Sequence, residues 1–400
     1  MPNALPDGEP VPVSGEVPEP ALAELGRRPF GMYVHVPFCV TRCGYCDFNT
    51  YVGSDAAARS AYAGAAIAEV GLARRAFGAD APVVDTVFFG GGTPTLLPAA
   101  DLAAILAAIA GAFGLTPGAE VTTEANPEDV DAATLASLRE AGFIRVSFGM
   151  QSAVAHVLAT LDRRHTPERA VAAVAEARAA AFEHVSLDLI YGTPGESDAD
   201  WAASVAAALA AGPDHVSAYA LGVEPGTALH ARVRRGELPA PDPDAAADRY
   251  VAADATLAAA GLDWYEISNW AATREARCRH NLGYWRGDEW WGVGPGAHSQ
   301  VGGVRWWNVR HPRDYARRLA AGDSPAAGRE VLDPPTVRFE RVMLGVRLAE
   351  GLDRALLSRA GAAAAERLAG EGLLTLDGDR VRLTLEGRLK ADAVVRALTD

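Results

Sequence analysis

The stretch YVHVPFCVTRCGYC, residues 33–46, joins a short apolar run to three closely spaced cysteines. A short, valine-rich apolar run predicts a buried β-strand, here over residues 32–36. Cys39, Cys43 and Cys46 follow it directly, whereas the fourth cysteine, Cys278, lies far away. Residues 1–28 show no signal-peptide pattern, so we expect a cytoplasmic protein whose thiols stay reduced. The triplet therefore predicts metal or redox chemistry rather than a disulfide framework.

The same kind of apolar run recurs along the chain, and segments with helical spacing separate the runs. Strands that alternate with helices predict an α/β fold with right-handed βαβ units and a mainly parallel sheet. Six such units fit either a partial (βα)6 TIM-like barrel or an open sheet, because a full barrel needs eight. In both folds the site lies where the chain leaves the carboxyl ends of the strands. The five further predicted strands are 83–89, 120–124, 144–148, 185–190 and 215–220.

The rest of the chain has a different pattern. A Pro/Asp linker at 239–244 precedes a helical segment and a stretch, 264–307, that holds most of the tryptophans. The last part combines helical segments with a predicted hairpin around Gly378, an order typical of a winged-helix-like domain. We therefore predict a flexible N-terminal tail at 1–29, a barrel domain at 30–240, an aromatic-rich extension at 241–329 and a small α+β C-terminal domain at 330–400.

Composition limits the functional classes. The 400 residues are 49% hydrophobic and include 37 basic and 51 acidic side chains, which gives a net charge of −14. This charge repels phosphate backbones, and the C-terminal domain has no concentrated basic face, so we expect no nucleic-acid partner. Every window of about 18 residues contains charges or turn formers, so no membrane span is predicted.

Three thiolates on one loop fit a [4Fe–4S] cluster that leaves one iron open for a ligand from outside the protein. The spacing alone also fits a zinc site that takes its fourth ligand from Cys278, His280 or His35. The turn Gly90-Gly91-Gly92-Thr93-Pro94 follows the second predicted strand, where bare backbone lets a ligand approach closely. The sequence thus predicts a metal centre with a ligand-binding turn beside it.

The cysteine loop resembles that of radical S-adenosylmethionine (SAM) enzymes, whose third cysteine also follows an aromatic residue. The glycine turn resembles the family's glycine-rich strand end. This resemblance implies a reduced cluster that donates an electron to the SAM sulfonium and cleaves SAM, chemistry that the cofactors carry. Taken singly, Glu124 and Asp188 also fit helix caps, and Arg163 also fits a solvated helix end. The SAM contacts that the resemblance implies are Tyr33, Tyr45, Gly91, Gly92, Thr93, Glu124, Gln151, Arg163 and Asp188.

A second segment, CRHNLGYW at 278–285, resembles the HNxxYW signature of the heme-chaperone (HemW) branch of the oxygen-independent coproporphyrinogen oxidase group. The resemblance covers nearly the whole chain from Phe30. It implies a radical SAM partial barrel with a HemN-type C-terminal domain. The oxidases of the group resemble this loop but carry a further cysteine where this chain has Phe48, and they have a substantial N-terminal extension.

The second segment supplies the candidate heme contacts. Imidazole and phenol groups ligate heme iron, and aromatic rings stack on a porphyrin face. Without the resemblance, His280 and Asn281 fit the polar start of a helix, and the tryptophans fit a hydrophobic core. His298 and His35 are secondary candidates, and Cys278 fits a buried inert thiol. The main candidates are His280, Asn281, Tyr284 and Trp285.

The leading expectation is a heme chaperone that binds a [4Fe–4S] cluster, SAM and heme. It would pass heme to an unidentified acceptor protein, for which a respiratory membrane enzyme is one candidate. The alternative is an enzyme, oxygen-independent coproporphyrinogen III oxidase. A third possibility is a zinc-stabilised binding protein. The missing cysteine at Phe48 favours the chaperone over the oxidase.

Overall fold

The computed structural model describes residues 8–23, 25–54 and 56–399. The strands are β1 (Phe30–Val36), β2 (Phe38–Cys39), β3 (Tyr51–Val52), β4 (Val84–Gly91), β5 (Leu115–Ala125), β6 (Arg145–Gln151), β7 (His184–Tyr191), β8 (His215–Ala220), β9 (Asp263–Glu266), β10 (Asn269–Ala271), β11 (Glu289–Val293), β12 (His298–Val301), β13 (Val304–Asn308), β14 (Ala326–Val331), β15 (Leu352–Asp353), β16 (Leu374–Asp377) and β17 (Arg380–Leu383).

Helices of very different length connect these strands. They are α1 (Glu19–Leu22), α2 (Ala56–Phe77), α3 (Ala99–Phe113), α4 (Ala132–Glu140), α5 (Ala155–Thr160), α6 (Pro167–Ala179), α7 (Asp198–Ala210), α8 (Ala228–Arg234), α9 (Pro243–Ala259), α10 (Arg279–Arg286), α11 (Pro312–Ala320), α12 (Pro334–Gly345), α13 (Arg359–Gly370), α14 (Leu385–Leu389) and α15 (Ala391–Thr399).

The six predicted strands form the centre of the molecule. β1, β4, β5, β6, β7 and β8 lie side by side in this order, all parallel, and at least one helix follows each of them. The predicted α/β fold with six βα units is therefore confirmed. The sheet does not close into a full barrel, because its two edges are formed by β14 and β9, which do not pair with each other. It is the predicted partial barrel.

The aromatic-rich extension continues this sheet at both edges. β11 pairs in parallel with β1, and the antiparallel strands β12 to β14 follow it. At the other edge β10 pairs with β8, and β9 pairs with β10. Trp270, Trp291 and Trp306 are buried in the same core as the central strands. The extension thus widens the barrel sheet at both edges.

Each central strand divides its side chains between two layers, as the two-residue period of a strand requires. In β1, Met32, Val34 and Val36 are fully buried in the main apolar core. Tyr33 and His35 alternate with them and face the barrel interior, where Tyr33 packs beside Phe88. The barrel interior therefore contains the polar and aromatic side chains of the strands, and the site is formed among them.

The described part of the N-terminal segment is packed against the sheet. Glu9 forms an isolated bridge with Arg329, and Val17 and Ala21 are 5% and 0% exposed. This packing differs from the flexible tail expected for 1–29, of which residues 1–7 and 24 lie outside the described residues. The composition is rich in Pro and Glu, but these buried side chains and backbone hydrogen bonds to Ser324 and Arg329 attach the segment to the sheet.

The C-terminal segment has a core of its own. α12, β15, α13 and the β16–β17 hairpin precede α14 and α15, and the three strands form a separate sheet in the order β15-β17-β16. Val346, Val381 and Val394 are fully buried there. This is the winged-helix-like order that the sequence predicted. Among the described helices, none is both long and apolar enough to cross a membrane.

Candidate functional site

A cavity of about 370 Å³ lies inside the barrel and reaches the carboxyl ends of its strands. Its volume is in the range of small-molecule sites. Nearly all the residues predicted to contact the cluster or SAM line it, whereas Tyr33 packs beside it. The predicted residues that line the cavity are Cys39, Cys43, Cys46, Tyr45, Gly91, Gly92, Thr93, Glu124, Gln151, Arg163 and Asp188.

The three loop cysteines lie together at the mouth of the cavity. The loop is held by the backbone bond from Cys46 N to Cys43 O (3.1 Å). Thr93 Oγ1 donates to Cys39 Sγ at 3.9 Å, and Arg163 Nη1 donates to Cys43 Sγ at 3.4 Å. Burial raises the pKa of Cys39 to about 11 and also raises that of Cys46. Bound iron would reverse this preference for the neutral thiol, because a metal ion stabilises thiolates.

The donor set fits a cluster better than a zinc ion. Among the described residues, no three Cys, His, Asp or Glu side chains form a group suited to one metal ion. Cluster ligands, in contrast, bind separate irons. Two of the candidate fourth zinc ligands, Cys278 and His280, lie beside the middle of β5, where both contact Glu120. The third, His35, is engaged by Tyr33 and Asn49.

The glycine turn brings bare backbone to the cavity wall. Gly91 has φ +107°, and a Cβ on it would lie 2.5 Å from the ring of His35. A Cβ on Gly92 would lie 2.5 Å from the carbonyl oxygen of Phe38. Side chains are therefore excluded here, and the backbone can contact a ligand directly.

Two half-buried carboxyl groups, those of Glu124 on β5 and Asp188 on β7, line the cavity. Burial, and then the neighbouring Asp188, raises the pKa of Glu124 to about 7. Glu124 Oε2 accepts from Gly91 N at 3.1 Å, which ties it to the glycine turn. Burial also raises the pKa of Asp188, whose carboxylate accepts from Ser147 Oγ at 3.0 Å. Neither acid caps a helix, and both are placed to accept protons or hydrogen bonds from a cationic ligand.

Arg163 connects the cysteine loop to the strand ends. Besides Cys43, its guanidinium donates to Gly149 O at 2.9 Å and to Asn126 Oδ1 at 2.8 Å. Asn126 Nδ2 in turn donates to Thr93 Oγ1 at 2.9 Å. The sequence reasoning missed Asn126, although its position directly after β5 follows the same strand-end rule.

Gln151 has an unusual backbone at the end of β6. Its φ is +60°, a left-handed value that non-glycine residues rarely adopt. Strain of this kind persists where the surrounding structure holds it, often at ligand sites. The turn it makes places Gln151 in the cavity wall.

The second signature forms α10, which closes the amino end of the barrel. His280 is 4% exposed, and both of its ring nitrogens are hydrogen-bonded. Nδ1 lies 2.8 Å from Thr86 Oγ1, and Nε2 lies 2.9 Å from Tyr284 OH. Its ring stacks on Phe88 at 5.2 Å, and burial lowers its pKa to about 3. In this conformation the histidine has no ring nitrogen free for iron.

The other candidates near α10 have separate surroundings. Asn281 lines the barrel cavity, whereas Trp285 packs on the small apolar cluster that contains Leu282. Cys278 is 3% exposed, and its Sγ lies 3.6 Å from Glu120 Oε1. The structure therefore places the signature residues on different faces of one short helix.

Family models match two parts of the chain. The radical SAM superfamily model matches residues 33–208, and the HemN C-terminal domain model matches residues 332–389. The first range contains the cysteine loop, and the second lies in the predicted C-terminal domain.

Similar proteins cover almost the whole chain. It is 55% identical to heme chaperone HemW of Mycobacterium tuberculosis (strain ATCC 25618 / H37Rv) over 95% of this chain and 97% of the relative. It is 37% identical to heme chaperone HemW of Synechocystis sp. over 82% of this chain and 80% of the relative. Coproporphyrinogen III oxidase (HemN) from Escherichia coli has a similar structure, with a TM-score of 0.82 over 95% of this chain and 92% of that chain. At 22% identity, the last match shows the fold alone.

The site and these relatives lead to the same assignment. Three cysteines, a bare glycine turn and strand-end polar side chains surround one cavity, and the HNxxYW segment closes its other end. The chain belongs to the radical SAM superfamily and, within it, to the HemW family.

Proposed function

We propose that this protein is a heme chaperone that binds a [4Fe–4S] cluster, SAM and heme and passes heme to an acceptor protein. The observation that carries the proposal is the convergence of three thiols, a glycine turn and buried polar groups on one cavity, in a chain 55% identical to relatives named heme chaperone HemW. Cytoplasm is the proposed location, and the acceptor remains to be identified by capture.

Cys39, Cys43 and Cys46 are the residues that would hold the cluster. The cluster and SAM, when bound, supply one-electron chemistry to the site. The guanidinium of Arg163 is suited to pair the methionine carboxylate of SAM. Glu124 and Asp188 are suited to accept from its amino group and ribose hydroxyls. These groups orient the ligand, while the enclosed cavity limits access of water.

Heme contact is proposed at the α10 signature, with His280 as the iron ligand. Ligation there requires His280 Nε2 to exchange its bond with Tyr284 OH for iron, since both nitrogens are engaged. A cavity of about 150 Å³ that both side chains line adjoins this bond. A test of this assignment must therefore detect the replacement of the His280–Tyr284 hydrogen bond by a bond to iron.

A hemin titration followed in the Soret band tests this assignment. Tyr284→Phe releases Nε2 without removing the ring, so hemin affinity should rise several-fold, in line with one lost hydrogen bond of about 1 kcal/mol. His280→Ala should abolish the ligation spectrum, and His156→Ala, which replaces an exposed histidine on α5, is the matched control. If His280→Ala leaves the spectrum and affinity unchanged, heme ligation lies elsewhere.

The alternative is oxygen-independent coproporphyrinogen III oxidase, the activity of a protein that shares this fold. Anaerobic incubation with coproporphyrinogen III, SAM and a reductant distinguishes the two. Formation of protoporphyrinogen would establish the oxidase.

A further inference from the structure

The part of the barrel cavity nearest the amino ends of the strands is polar, whereas a barrel interior is usually filled there with branched apolar side chains. Thr122 on β5 and Arg145 on β6 are register partners and both line the cavity. Arg145 lies four residues before Gly149, whose carbonyl accepts from Arg163, and four residues of a strand span about 13 Å. The cavity therefore has a guanidinium at each end.

Arg145 has unmet hydrogen-bonding capacity. It is 1% exposed, and its Nη1 donates to Ala276 O at 2.6 Å. Its Nη2 has no hydrogen-bond partner among the described residues, and none of the ion pairs found among them involves Arg145. The charge of Arg145 interacts with the carboxylates of Glu120 and Asp188, but Nη2 itself has no acceptor. An unpaired buried donor is costly, which makes this atom a recognition element for an acceptor oxygen.

A second unpartnered donor lies beside it. Thr122 is fully buried, and its Oγ1 has no partner among the described residues. Asn281, from the α10 signature, lines the same cavity and is half-buried. The carboxylate nearest to α10, Glu120, is occupied by the backbone N–H groups of Arg279 and His280.

We propose that Arg145, Thr122 and Asn281 form a subsite for a compact carboxylate at the floor of the cavity, distinct from the SAM carboxylate expected at Arg163. A guanidinium Nη and a hydroxyl suit the two oxygens of one carboxylate. The carboxylate is that of a small acid or the propionate arm of a larger molecule. Asn281 would then contact the ligand from inside the barrel, while His280 contacts Thr86 and Tyr284.

Calorimetric titration of the purified full-length protein with sodium propionate, against sodium chloride at equal ionic strength, tests the subsite. Arg145→Gln should weaken propionate binding about ten- to hundred-fold, the effect of one hydrogen bond to a charged group. Thr122→Val keeps the volume and should weaken it about two- to ten-fold. Thr123→Val is the matched control, because this buried neighbour faces the opposite side of the sheet.

A second arm identifies the source of the carboxylate. Mesoporphyrin and its dimethyl ester are compared on wild type, Thr122→Val and Arg145→Gln. Saturable propionate binding that both variants weaken assigns a small acid. A preference for the diacid porphyrin that both variants lose, without propionate binding, assigns the arm of a larger ligand. If neither arm distinguishes Thr122→Val from Thr123→Val, the subsite does not exist, and this conclusion holds even if Arg145→Gln fails to fold.

Discussion

The four cysteines have the same chemistry but lie in different surroundings. Cys39, Cys43 and Cys46 are half-buried at the cavity mouth, whereas Cys278 is enclosed beside Glu120. Burial raises the pKa of Cys278, which keeps it a neutral thiol. Location in the fold therefore separates three candidate ligands from one structural residue.

Replacement of single cysteines tests this separation. Cys39→Ser, Cys43→Ser or Cys46→Ser should each abolish stable cluster binding, because the loop has no spare thiol. Cys278→Ser is the matched control and should retain iron and acid-labile sulfide at the wild-type level. Equal iron loss in the Cys278 variant would contradict the three-cysteine assignment.

Glu124 predicts a pH dependence of SAM binding. Its pKa of about 7 in the protein lies above the usual glutamate value, so the group is protonated below this pH and charged above it. A cationic ligand prefers the charged form, so SAM affinity should rise as the pH increases through about 7. Asp188→Asn removes the like charge and should shift this midpoint to lower pH, although burial still raises the pKa.

Calorimetric SAM titrations at several pH values measure this midpoint, with Glu183→Gln as an exposed control. A SAM affinity that is flat across this range would show that Glu124 does not sense the ligand charge.

Single residues differ in how well the sequence predicted them. Glu124 and Asp188 match a family motif and lie at or near strand ends, so both motif and position identify them. Arg145 begins β6 at the amino end, where the strand-end rule expects no ligand contact. Its role depends on side chains from β5 and α10, and sequence spacing carries no information about such distant neighbours.

The amino terminus of helix α10 is capped by a residue from a strand that is distant in the sequence. Cys278 at its N-cap makes no side-chain capping bond, and Glu120 of β5 instead accepts from Arg279 N at 2.9 Å and His280 N at 3.0 Å. A carboxylate at a helix amino terminus is favourable for both hydrogen bonding and the helix dipole. Glu120 therefore fixes the signature helix to the barrel.

Glu120→Ala should destabilise the protein by about 1–3 kcal/mol, since it leaves one buried and one partly buried backbone donor unpaired. Urea denaturation measures the change, and Glu183→Ala, an exposed glutamate, is the control. A loss below about 0.5 kcal/mol would show that α10 is held by other contacts.

The central strands were predictable because each is a short apolar run with local signals. The pairing of β11 with β1 was not, because the two strands are distant in the sequence and no local pattern marks the partner of a strand. The same reason explains the N-terminal segment, whose contact with Arg329 is equally distant.

At the scale of the whole molecule, the C-terminal domain is attached to the barrel through Arg388. Its guanidinium donates to both oxygens of Asp254 at 2.9 and 2.8 Å and lies 4.3 Å from the ring centroid of Trp264. The side chains of Arg388 and Asp254 are 10% and 16% exposed, so the pair is largely protected from solvent. The contact fixes α14 against α9.

Arg388→Ala should loosen this attachment while both cores remain folded. We expect amide hydrogen exchange in α14 and α15 to accelerate about ten- to hundred-fold, the equivalent of one charged hydrogen bond lost. Lys390→Ala is the matched control, because Lys390 makes only an exposed pair with Glu386. Unchanged exchange in the Arg388 variant would show that other contacts, such as the Glu266–Leu348 bridge and the Arg286–Glu350 ion pair, hold the domain without it.

We propose that this radical SAM protein binds heme and does not make its precursor. One anaerobic preparation with reconstituted cluster should be divided between a hemin titration and an incubation with coproporphyrinogen III, SAM and a reductant. We predict saturable hemin binding with a Soret shift and no protoporphyrinogen. Protoporphyrinogen formation, or the absence of hemin binding in the same sample, would contradict this claim.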